Sequence, residues 1–219
     1  MLPEGAVEVD IAGEALCLTP ECAVFWPRVE TLLIADAHLG KAAAFRSGGI
    51  PVPSGTTSDN LEALTALVRA CRARRVIFLG DLVHSAAAKR AVSGAVAAWR
   101  ERQADVEVLL VRGNHDRRSG NAPPDWRMTT VEEPYGLAPF ALCHTPGEIQ
   151  GAYAIAGHIH PCVNLHGRGR EHLRLPCFWL RESYAVLPAF GVFTGMADVE
   201  PGDGDRIYVA AGDRVLQVA

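Results

Sequence analysis

The chain has 219 residues, of which 49% are hydrophobic, and its formal net charge is −4 at pH 7. This length suits one domain with a sizeable core, so we expect a single domain spanning residues 1–219. The acidic balance excludes a protein that attracts nucleic acid through its overall charge. No apolar run reaches the roughly 18 residues of a membrane-spanning helix, so we expect no membrane association.

The N-terminus and the cysteines both indicate the cytoplasm. Residues 1–5 contain an acid and a proline instead of a basic region followed by an apolar stretch, so we expect no secretory signal. The six cysteines are scattered and form no C-x-x-C pair. In a chain of this length such cysteines indicate reduced thiols in a core, and they predict neither disulfides nor a thiolate zinc site.

The predicted elements of the first half alternate between strands and helices. Compact apolar runs predict buried strands, and apolar residues at helical spacing predict amphipathic helices. In chain order these elements are a strand at 31–35, a helix that begins at Thr57 or Ser58 and continues to Cys71, a strand at 76–79, a helix at 89–102 and a strand at 106–111. Stretches rich in turn residues at 46–55 and 119–125 are expected to be loops. Three strands separated by helices predict parallel pairing with right-handed crossovers.

The second half shows short apolar segments and little helical periodicity. These segments lie at 139–143, 153–156, 177–180, 184–187, 206–210 and 214–218, and turn residues separate them. This pattern favours a second, more antiparallel sheet. Together the two halves predict the α/β class, with two sheets packed as a sandwich.

Polar side chains follow five of the predicted strands at the point where each strand ends. These residues are Asp36 and His38; Asp81; Asn114, His115 and Asp116; His144; and His158 and His160. Glycines at 80, 113 and 157 precede three of these groups, and we expect them to allow tight turns. In open α/β sheets, ligands bind in the crevice beyond the carboxyl ends of the strands. We therefore expect these side chains to meet in one cluster.

The spacing and chemistry of the cluster are typical of a metal site. Residues two apart point to the same side of an extended backbone, so Asp36 and His38 can share a target, as can His158 and His160. The whole set combines carboxylate, imidazole and amide without thiolate. That combination suits manganese, iron or zinc more than a structural cysteine-zinc site.

Each of these features also has a simpler interpretation. Asp-x-His at a strand end is often a solvated turn, Gly-Asp is often a loop, and a single histidine such as His144 is often a satisfied structural residue. The order of all five features, each at the end of a strand, favours the metal site.

The motif order Asp-x-His, Gly-Asp, Gly-Asn-His-Asp, His and Gly-His-x-His, over residues 31–160, resembles the calcineurin-like metallophosphoesterase superfamily. The resemblance implies an α/β/β/α sandwich and a site for two divalent metal ions. The implied ligands are Asp36, His38 and His160 for one metal, Asn114, His144 and His158 for the other, and Asp81 for both. The resemblance also implies that His115 donates a proton or hydrogen bond to the phosphate ester and that Asp116 orients its imidazole. Every expected ligand is present in the sequence.

A second pattern narrows the family. Residues 36–46, 49–57 and 80–85 resemble the bacterial ligase-associated DNA damage response phosphodiesterase/endonuclease. This resemblance implies a DNA phosphodiester substrate, with damaged or blocked 3′ ends as the expected targets in bacterial DNA repair. It also implies association with a DNA ligase, a helicase and a nuclease of the metallo-β-lactamase type.

Cations and aromatic residues near the motifs are candidates for substrate contacts. The cations are Lys41, Arg46, Arg112, Arg117 and Arg118, which would hold flanking phosphates unless they are ordinary loop residues. The aromatic residues are Phe45, Trp126 and Tyr135, which stack on a base or, more simply, pack in the core. Three further histidines belong to no motif and are interpreted as structural: His84, His166 and His172.

These observations predict a metal-dependent phosphodiesterase or endonuclease that acts on DNA. We expect in-line attack on phosphorus by a hydroxide that bridges two cations, while His115 assists the leaving oxygen. The expected cation is Mn²⁺, with Fe or Zn as alternatives. An alternative among enzymes is cleavage of a phosphoprotein or of a nucleotide or lipid-linked pyrophosphate. Outside the enzymes, the alternative is a metal-binding scaffold subunit of a repair complex. A DNA-binding module is disfavoured, because the sequence has no helix-turn-helix or zinc-finger pattern.

Overall fold

The first half of the chain forms one sheet and the helices that cover it. A computed structural model describes residues 3–52, 55–167 and 172–219. Within these residues the sheet has seven strands, which are β1 (Val7–Ile11), β2 (Glu14–Leu18), β3 (Ala23–Trp26), β4 (Thr31–Ile34), β5 (Arg75–Leu79), β6 (Glu107–Val111) and β7 (Thr129–Val131). The helices are α1 (Lys41–Ser47), α2 (Thr56–Cys71), α3 (Ala86–Arg102) and α4 (Asn114–Ser119), with single 3₁₀ turns at Pro27–Val29 and Pro124–Trp126.

The seven strands lie side by side in sequence order. Strands β4, β5 and β6 pair in parallel, which confirms the prediction for three strands separated by helices. Both faces of the sheet are covered, so Val76 to Leu79 of β5 are all buried. For this reason β5 is a continuous apolar run and shows no alternation of apolar and polar residues. Strands β1, β2 and β3 add an antiparallel edge that the sequence analysis did not predict.

Helices α2 and α3 follow the predicted patterns. The apolar stripe of α2, from Leu61 to Cys71, is buried, as its spacing predicts. Helix α3 begins three residues earlier than expected, at Ala86, because the side chain of Ser85 caps it by accepting a hydrogen bond from the backbone nitrogen of Ala88 at 3.1 Å.

Two expected loops differ from their prediction in part. The first residues of the 46–55 stretch complete α1, and residues 53 and 54 lie outside the described part of the chain. The 119–125 stretch ends α4 and leads into the 3₁₀ turn at Pro124–Trp126. The tight turn expected at Gly113 is instead the start of helix α4.

The second half of the chain forms a mixed sheet. Its strands in the described residues are β8 (Tyr135–Leu137), β9 (Phe140–Leu142), β10 (Tyr153–Ala156), β11 (Pro161–His166), β12 (His172–Leu180), β13 (Tyr184–Val186), β14 (Ala197–Asp198), β15 (Arg206–Ala211) and β16 (Arg214–Gln217). Most of their pairs are antiparallel, as predicted. Strand β10, however, pairs in parallel with both β9 and β13. As a result, these three strands end at the same edge of the sheet.

The two sheets pack face to face, and helices cover the other face of the first sheet. The buried residues between the sheets include Leu33, Ile77, Leu109, Leu142, Ile155 and Phe178. Those beneath the helices include Leu64, Phe78, Val92, Trp99 and Leu110. This arrangement confirms the predicted α/β sandwich with two sheets. Within the described residues, no helix has the length and apolar character needed to cross a bilayer.

Candidate metal centre

The polar residues of the five motifs follow strands of both sheets and lie in one cluster. Asp36 follows β4, Asp81 follows β5, Asn114 follows β6, His144 follows β9, and His158 and His160 follow β10. The parallel strands of each sheet present their carboxyl ends at one edge, so the side chains converge there. The cluster therefore lies where the strand pattern predicted it.

Five of these residues adopt the left-handed backbone conformation. The φ angles are 52° at Asp36, 43° at His38, 48° at Asp81, 74° at His158 and 56° at His160. Asp36 and His38 therefore share a target because the chain turns sharply, and not because alternate residues of a strand share a face, which corrects the sequence argument. Non-glycine residues avoid this conformation, which costs roughly 1–2 kcal/mol each. Its repetition at one place indicates a functional constraint.

Three glycines make room for the cluster. A Cβ atom on each would collide with a neighbouring side chain: at Gly80 with His144, at Gly113 with Asp81, and at Gly157 with Asp36. Of the three, Gly80 alone has a positive φ, of 81°. Gly113 and Gly157 are therefore required for close approach, which corrects the expectation that all three glycines form tight turns.

The first ligand group contains Asp36, His38 and His160, whose candidate ligand atoms lie within 4.8 Å of one another. The Nε2 atoms of His38 and His160 are 3.3 Å apart, and Oδ1 of Asp36 lies 3.6 Å from Nε2 of His160. The other Asp36 oxygen accepts a hydrogen bond from the backbone nitrogen of His158 at 2.7 Å. Asp36 and His38 are both buried, so the group is largely shielded from water.

The second ligand group contains Asp81, His144 and His158, whose candidate ligand atoms also lie within 4.8 Å of one another. Nε2 of His144 lies 2.9 Å from Nδ1 of His158, 3.0 Å from Oδ1 of Asn114 and 3.6 Å from Oδ1 of Asp81. Oδ2 of Asp81 lies 3.8 Å from Nε2 of His38, so this carboxylate faces both groups. These positions agree with the ligand division that the resemblance implied, and the binding of an ion by each group stays a prediction. His158 and His160 lie in different groups, which corrects the expectation from spacing that they share a target.

In each group, one histidine is held with its Nε2 atom directed at the other ligand atoms. Nδ1 of His144 donates a hydrogen bond to the carbonyl oxygen of Leu79 at 3.1 Å, and Nδ1 of His160 donates to that of Gly195 at 2.9 Å. Their Nε2 atoms therefore carry lone pairs, as in metal-binding histidines. Oδ1 of Asp36 is buried and has no hydrogen-bond partner among the described residues. Because a buried acceptor of this kind needs a cation or a proton, the residues fit divalent metal ions.

The electrostatics of the first group also suit a cation. Burial, together with the neighbouring cationic groups of His160 and Lys41, lowers the pKa of His38 to about 2, so its imidazole is neutral at pH 7. Burial acts to lower the pKa of His160 as well, but its interactions with the Asp36 carboxylate raise that pKa overall. A divalent cation at this group would compete with a proton for Nε2 of His160.

His115 lies at the mouth of the site, with one ring nitrogen directed inward. Its Nδ1 donates a hydrogen bond to the carbonyl oxygen of His84 at 2.6 Å, and its Nε2 lies 3.9 Å from Oδ2 of Asp81. The His115 side chain is 30% exposed, so Nε2 is accessible to a bound substrate. The position therefore suits the proton donor that the resemblance implied.

The role expected for Asp116 needs correction. Its carboxylate accepts hydrogen bonds from the backbone nitrogens of Gly113 at 3.0 Å and Val83 at 3.3 Å. Burial raises the pKa of Asp116 to about 6, against the lowering effect of these amides. Asp116 thus ties the loop after β5 to the start of α4, and the carbonyl oxygen of His84 orients the His115 ring in its place.

His84, which the sequence analysis interpreted as structural, belongs to the site. Its ring stacks on that of His115, with centroids 5.1 Å apart and planes 26° apart, and lies 5.8 Å from the His38 ring. Candidate ligand atoms of these three histidines lie within 4.8 Å of one another. The available signal was the position of His84 three residues after Asp81, inside the pattern that resembles the narrower family.

Glu133 is a second supporting residue that the sequence analysis missed. Its carboxylate accepts hydrogen bonds from the backbone nitrogens of His144 at 2.7 Å and Thr145 at 2.8 Å. Its other oxygen binds the guanidinium of Arg117, on α4, at 3.2 Å. Glu133 therefore anchors the main chain of His144 to the helix that begins at Asn114, although no motif surrounds it in the sequence.

Two of the candidate phosphate-binding arginines are occupied within the protein. Arg112 and Arg117 form ion pairs with Glu132 at 3.3 Å and 3.2 Å. Arg112 also donates a hydrogen bond to the side chain of Asn121. These pairs hold β7 and α4 together, so we no longer expect the two guanidinium groups to bind substrate phosphates.

The other three candidate cations lie at or near the surface. Arg46 and Arg118 are exposed. Lys41 is half-buried beside the first ligand group, and burial lowers its pKa. Contact of these three side chains with substrate stays a prediction.

The remaining aromatic and histidine candidates divide between core and surface. Trp126 is 1% exposed and belongs to the core, and Tyr135 packs against the residues between the sheets, as the simpler interpretation predicted. Phe45 is half-buried beside the site. His172 is exposed on β12, whereas the side chain of His166 lies outside what the structure describes.

The two-sheet sandwich, with carboxylate, imidazole and amide donors gathered at its strand ends, defines a metal-dependent phosphoesterase. The chain belongs to the calcineurin-like phosphoesterase family, whose model matches residues 30–157. That segment includes Asp36, Asp81, Asn114 and His144, and it ends immediately before His158. No curated protein matches the chain.

Similarity to solved structures extends beyond that segment. The crystal structure of the Pseudomonas putida nuclease MPE is 36% identical to this chain, with a TM-score of 0.85, and the match covers 97% of this chain and 100% of that one. The phosphoesterase Yfce from E. coli is 16% identical, with a TM-score of 0.41 over 86% of this chain and 98% of that one, and is too distant to add to the argument. The first match extends the family assignment to nearly the whole chain.

Proposed function

We propose that this protein is a phosphodiesterase that cleaves DNA and uses two divalent metal ions. The observation that carries the proposal is the pair of adjoining ligand groups, with the Asp81 carboxylate facing both. Two cations at neighbouring positions suit a substrate whose reacting centre carries negatively charged oxygens. Nucleic acid as that substrate is supported by the 36% identity with the Pseudomonas putida nuclease over 97% of this chain.

The side chains of the site have separate tasks in this proposal. Two divalent ions held there would lower the pKa of bound water and neutralise charge on the phosphate. The carbonyl oxygen of His84 holds Nδ1 of His115, so Nε2 is the atom that faces the substrate. We propose that the His115 ring, when both of its nitrogens carry a proton, donates the Nε2 proton to the leaving oxygen and becomes neutral, a contribution of about 10²–10⁴-fold in typical enzymes.

The metal and the cellular setting form part of the same proposal. We propose Mn²⁺ as the native metal, with Fe or Zn as alternatives, since the donor set contains no thiolate. We propose that residues 1–219 act as one domain in the cytoplasm, where the six free cysteines would stay reduced. The ligase-associated pattern supports a role in DNA repair together with a DNA ligase, a helicase and a nuclease.

The proposal is tested by stripping the purified protein of metal, restoring Mn²⁺ and offering a panel of substrates. The panel contains a single-stranded oligonucleotide, a nicked duplex, a 3′-phosphorylated strand, a cyclic nucleotide and a sugar-nucleotide pyrophosphate. We expect metal-dependent cleavage of at least one DNA substrate. Cleavage of the pyrophosphate alone would replace the proposal with the alternative enzyme. Two bound metal equivalents with no hydrolysis of any substrate would indicate a metal-binding scaffold.

A further inference from the structure

A surface cavity of about 230 Å³, open to solvent, lies beside the first ligand group. Its walls are formed by Lys41, Phe45, Phe193, Thr194 and Gly195. None of these residues belongs to the two ligand groups, and Phe193 lies in the segment between β13 and β14, far from every sequence motif. The cavity therefore calls for an explanation that the metal centre does not supply.

Both walls of the cavity are connected to the metal centre. The carbonyl oxygen of Gly195 accepts the hydrogen bond from Nδ1 of His160 at 2.9 Å. On the other side, the Phe45 ring lies 6.0 Å from the ring of His84, which stacks on His115. A group bound in the cavity would thus be separated from the first ligand group by Gly195 alone, and from the proposed proton donor by Phe45 and His84.

The segment that carries Phe193 is attached to the chain that carries Asp36. The backbone nitrogen of Phe190 donates a hydrogen bond to the carbonyl oxygen of Ala35 at 2.9 Å, and that of Gly191 donates to the carbonyl oxygen of Asp36 at 3.3 Å. These bonds fix the position of the cavity relative to the first ligand group. A preformed cavity of this kind requires less ordering when a ligand binds.

The cavity combines aromatic rings with a cation. The rings of Phe45 and Phe193 are 5.7 Å apart at 87°, and both side chains are half-buried. Such rings stack on any nucleobase, because every base has a π-face. Lys41, half-buried in the cavity wall, makes no ion pair within the described part of the chain. An ammonium group in this position suits a phosphate.

We infer that this cavity, the Phe45–Phe193 pocket, binds the nucleobase next to the scissile phosphate of a DNA substrate, while Lys41 contacts the adjoining phosphate. The inference rests on the proposed function and adds the element that recognises the substrate. The pocket requires a flat base and accepts any of the four. If Phe193 served only to anchor its loop, its loss would reduce activity whether or not a base is present.

The test uses single-stranded oligonucleotides in which one nucleotide at a time is replaced by an abasic tetrahydrofuran residue. For the wild-type protein, we expect cleavage of the phosphodiester beside the abasic position to be about tenfold slower, the order expected for loss of one base stack. Phe193→Ala should cleave the unmodified oligonucleotide about tenfold more slowly. It should show no further loss beside the abasic position, because the stacking partner is already absent.

Conservative variants separate stacking from loop packing. Phe193→Leu keeps the apolar bulk but removes the flat ring, so it should behave like Phe193→Ala. Phe193→Trp keeps a flat ring and should retain the abasic penalty. Leu173→Ala, at a side chain that is 61% exposed on β12, is the matched control and should equal the wild type. Elemental analysis should find the same metal content in every variant.

Three outcomes would overturn the inference while leaving the proposed function in place. The wild type could cleave normal and abasic substrates equally, Phe193→Leu could keep both full activity and the abasic penalty, or the Phe193 variants could lose metal together with activity. Failure of the wild type to cleave any oligonucleotide would instead remove the proposed function itself. The two failures are therefore distinguishable.

Discussion

Asp36 and Asp205 are both shielded from solvent, yet their hydrogen bonding differs. Asp205, whose side chain is 5% exposed, accepts hydrogen bonds from the indole of Trp179 at 2.8 Å, from Arg181 at 3.3 Å and from the backbone nitrogen of Gly202 at 2.9 Å. Burial acts to raise the pKa of Asp205, but these donors lower it overall. Asp36 keeps one oxygen without a hydrogen-bond partner among the described residues, and ring nitrogens of His160 and His144 lie 3.6 and 3.8 Å from that oxygen.

The difference separates a structural acid from a functional one. The fold supplies Asp205 with donors of its own, so that carboxylate contributes to stability without any added ion. At the candidate metal centre, acceptor atoms instead face one another without enough donors to satisfy them. Five residues there adopt the left-handed backbone conformation that brings these atoms together. The strained backbone and the unpaired acceptor lower stability there, which is common at functional sites and is expected of a cation site.

The largest expected effect comes from Asp81, which faces both ligand groups. Asp81→Asn removes the charge that the two groups share, so we expect loss of both metal equivalents and of all metal-dependent hydrolysis. Elemental analysis after dialysis measures the metal content, and Asp205→Asn serves as the control that should keep both equivalents. One full equivalent remaining in Asp81→Asn would show that the carboxylate is not shared.

A smaller effect is expected at His115, because it touches substrate and not metal in the proposed mechanism. His115→Ala should keep both metals and lose about 10²–10⁴-fold in turnover of esters with poor leaving groups, the range typical of general acid catalysis. Esters with good leaving groups should be affected much less, since they need no proton. Unchanged turnover of a simple dialkyl diester would refute the role given to His115.

Glu133 should have a still smaller effect, exerted through the position of His144. Glu133→Gln weakens the acceptor of two backbone amides, and we expect metal binding to fall by about 10–100-fold, as for other residues that orient ligands. Titration with Mn²⁺ followed by electron paramagnetic resonance measures this affinity. The neighbouring Glu132→Gln is the matched control, because Glu132 pairs only with arginines in the described contacts. Equal affinity in the two variants would contradict the positioning role.

The smallest effects concern stability, and substitutions of Asp36 and Asp205 should change the free energy of unfolding in opposite directions. In metal-free protein, at a pH where the His160 ring is neutral, Asp36→Asn should raise the free energy of unfolding by about 1 kcal/mol, since it replaces a buried carboxylate that has one unsatisfied oxygen. Asp205→Asn should lower it by about 1–3 kcal/mol, since it weakens three hydrogen bonds to a charged acceptor. Urea denaturation measures both values. The same sign for both variants would remove the distinction between the two acids.

The effect of Asp205 should also depend on pH in a defined direction. The folded-state pKa of Asp205 lies below the ordinary 3.8. Its contribution to the free energy of unfolding is therefore complete above about pH 4 and is lost as the pH falls through the folded-state pKa. The stability difference between the wild type and Asp205→Asn should therefore narrow in acid. A difference that widened below pH 4 would contradict the hydrogen-bonding argument.

The parts of the structure that could be predicted are those with a recognisable pattern of residues close together in the sequence. Strands β4, β5 and β6 were predictable because burial on both faces leaves continuous apolar runs. Strand β1 has the alternating pattern of a half-buried strand, a signal that the prediction did not use. Glu133 had no such signal, because its role consists of accepting hydrogen bonds from backbone amides, which every residue type provides. Phe193 likewise became a candidate only through its neighbours in space.

The sequence by itself determined which ligand atoms exist and that they follow the ends of buried strands, because both properties depend on residue type and short-range order. The tertiary structure alone decided which histidine nitrogens face the centre, which arginines are already paired, and that Asp116 binds backbone amides instead of His115. These outcomes depend on contacts between distant residues, such as the bond between His158 and Asp36, which are 122 positions apart. No local pattern specifies such a contact, since it forms only when the two sheets pack together.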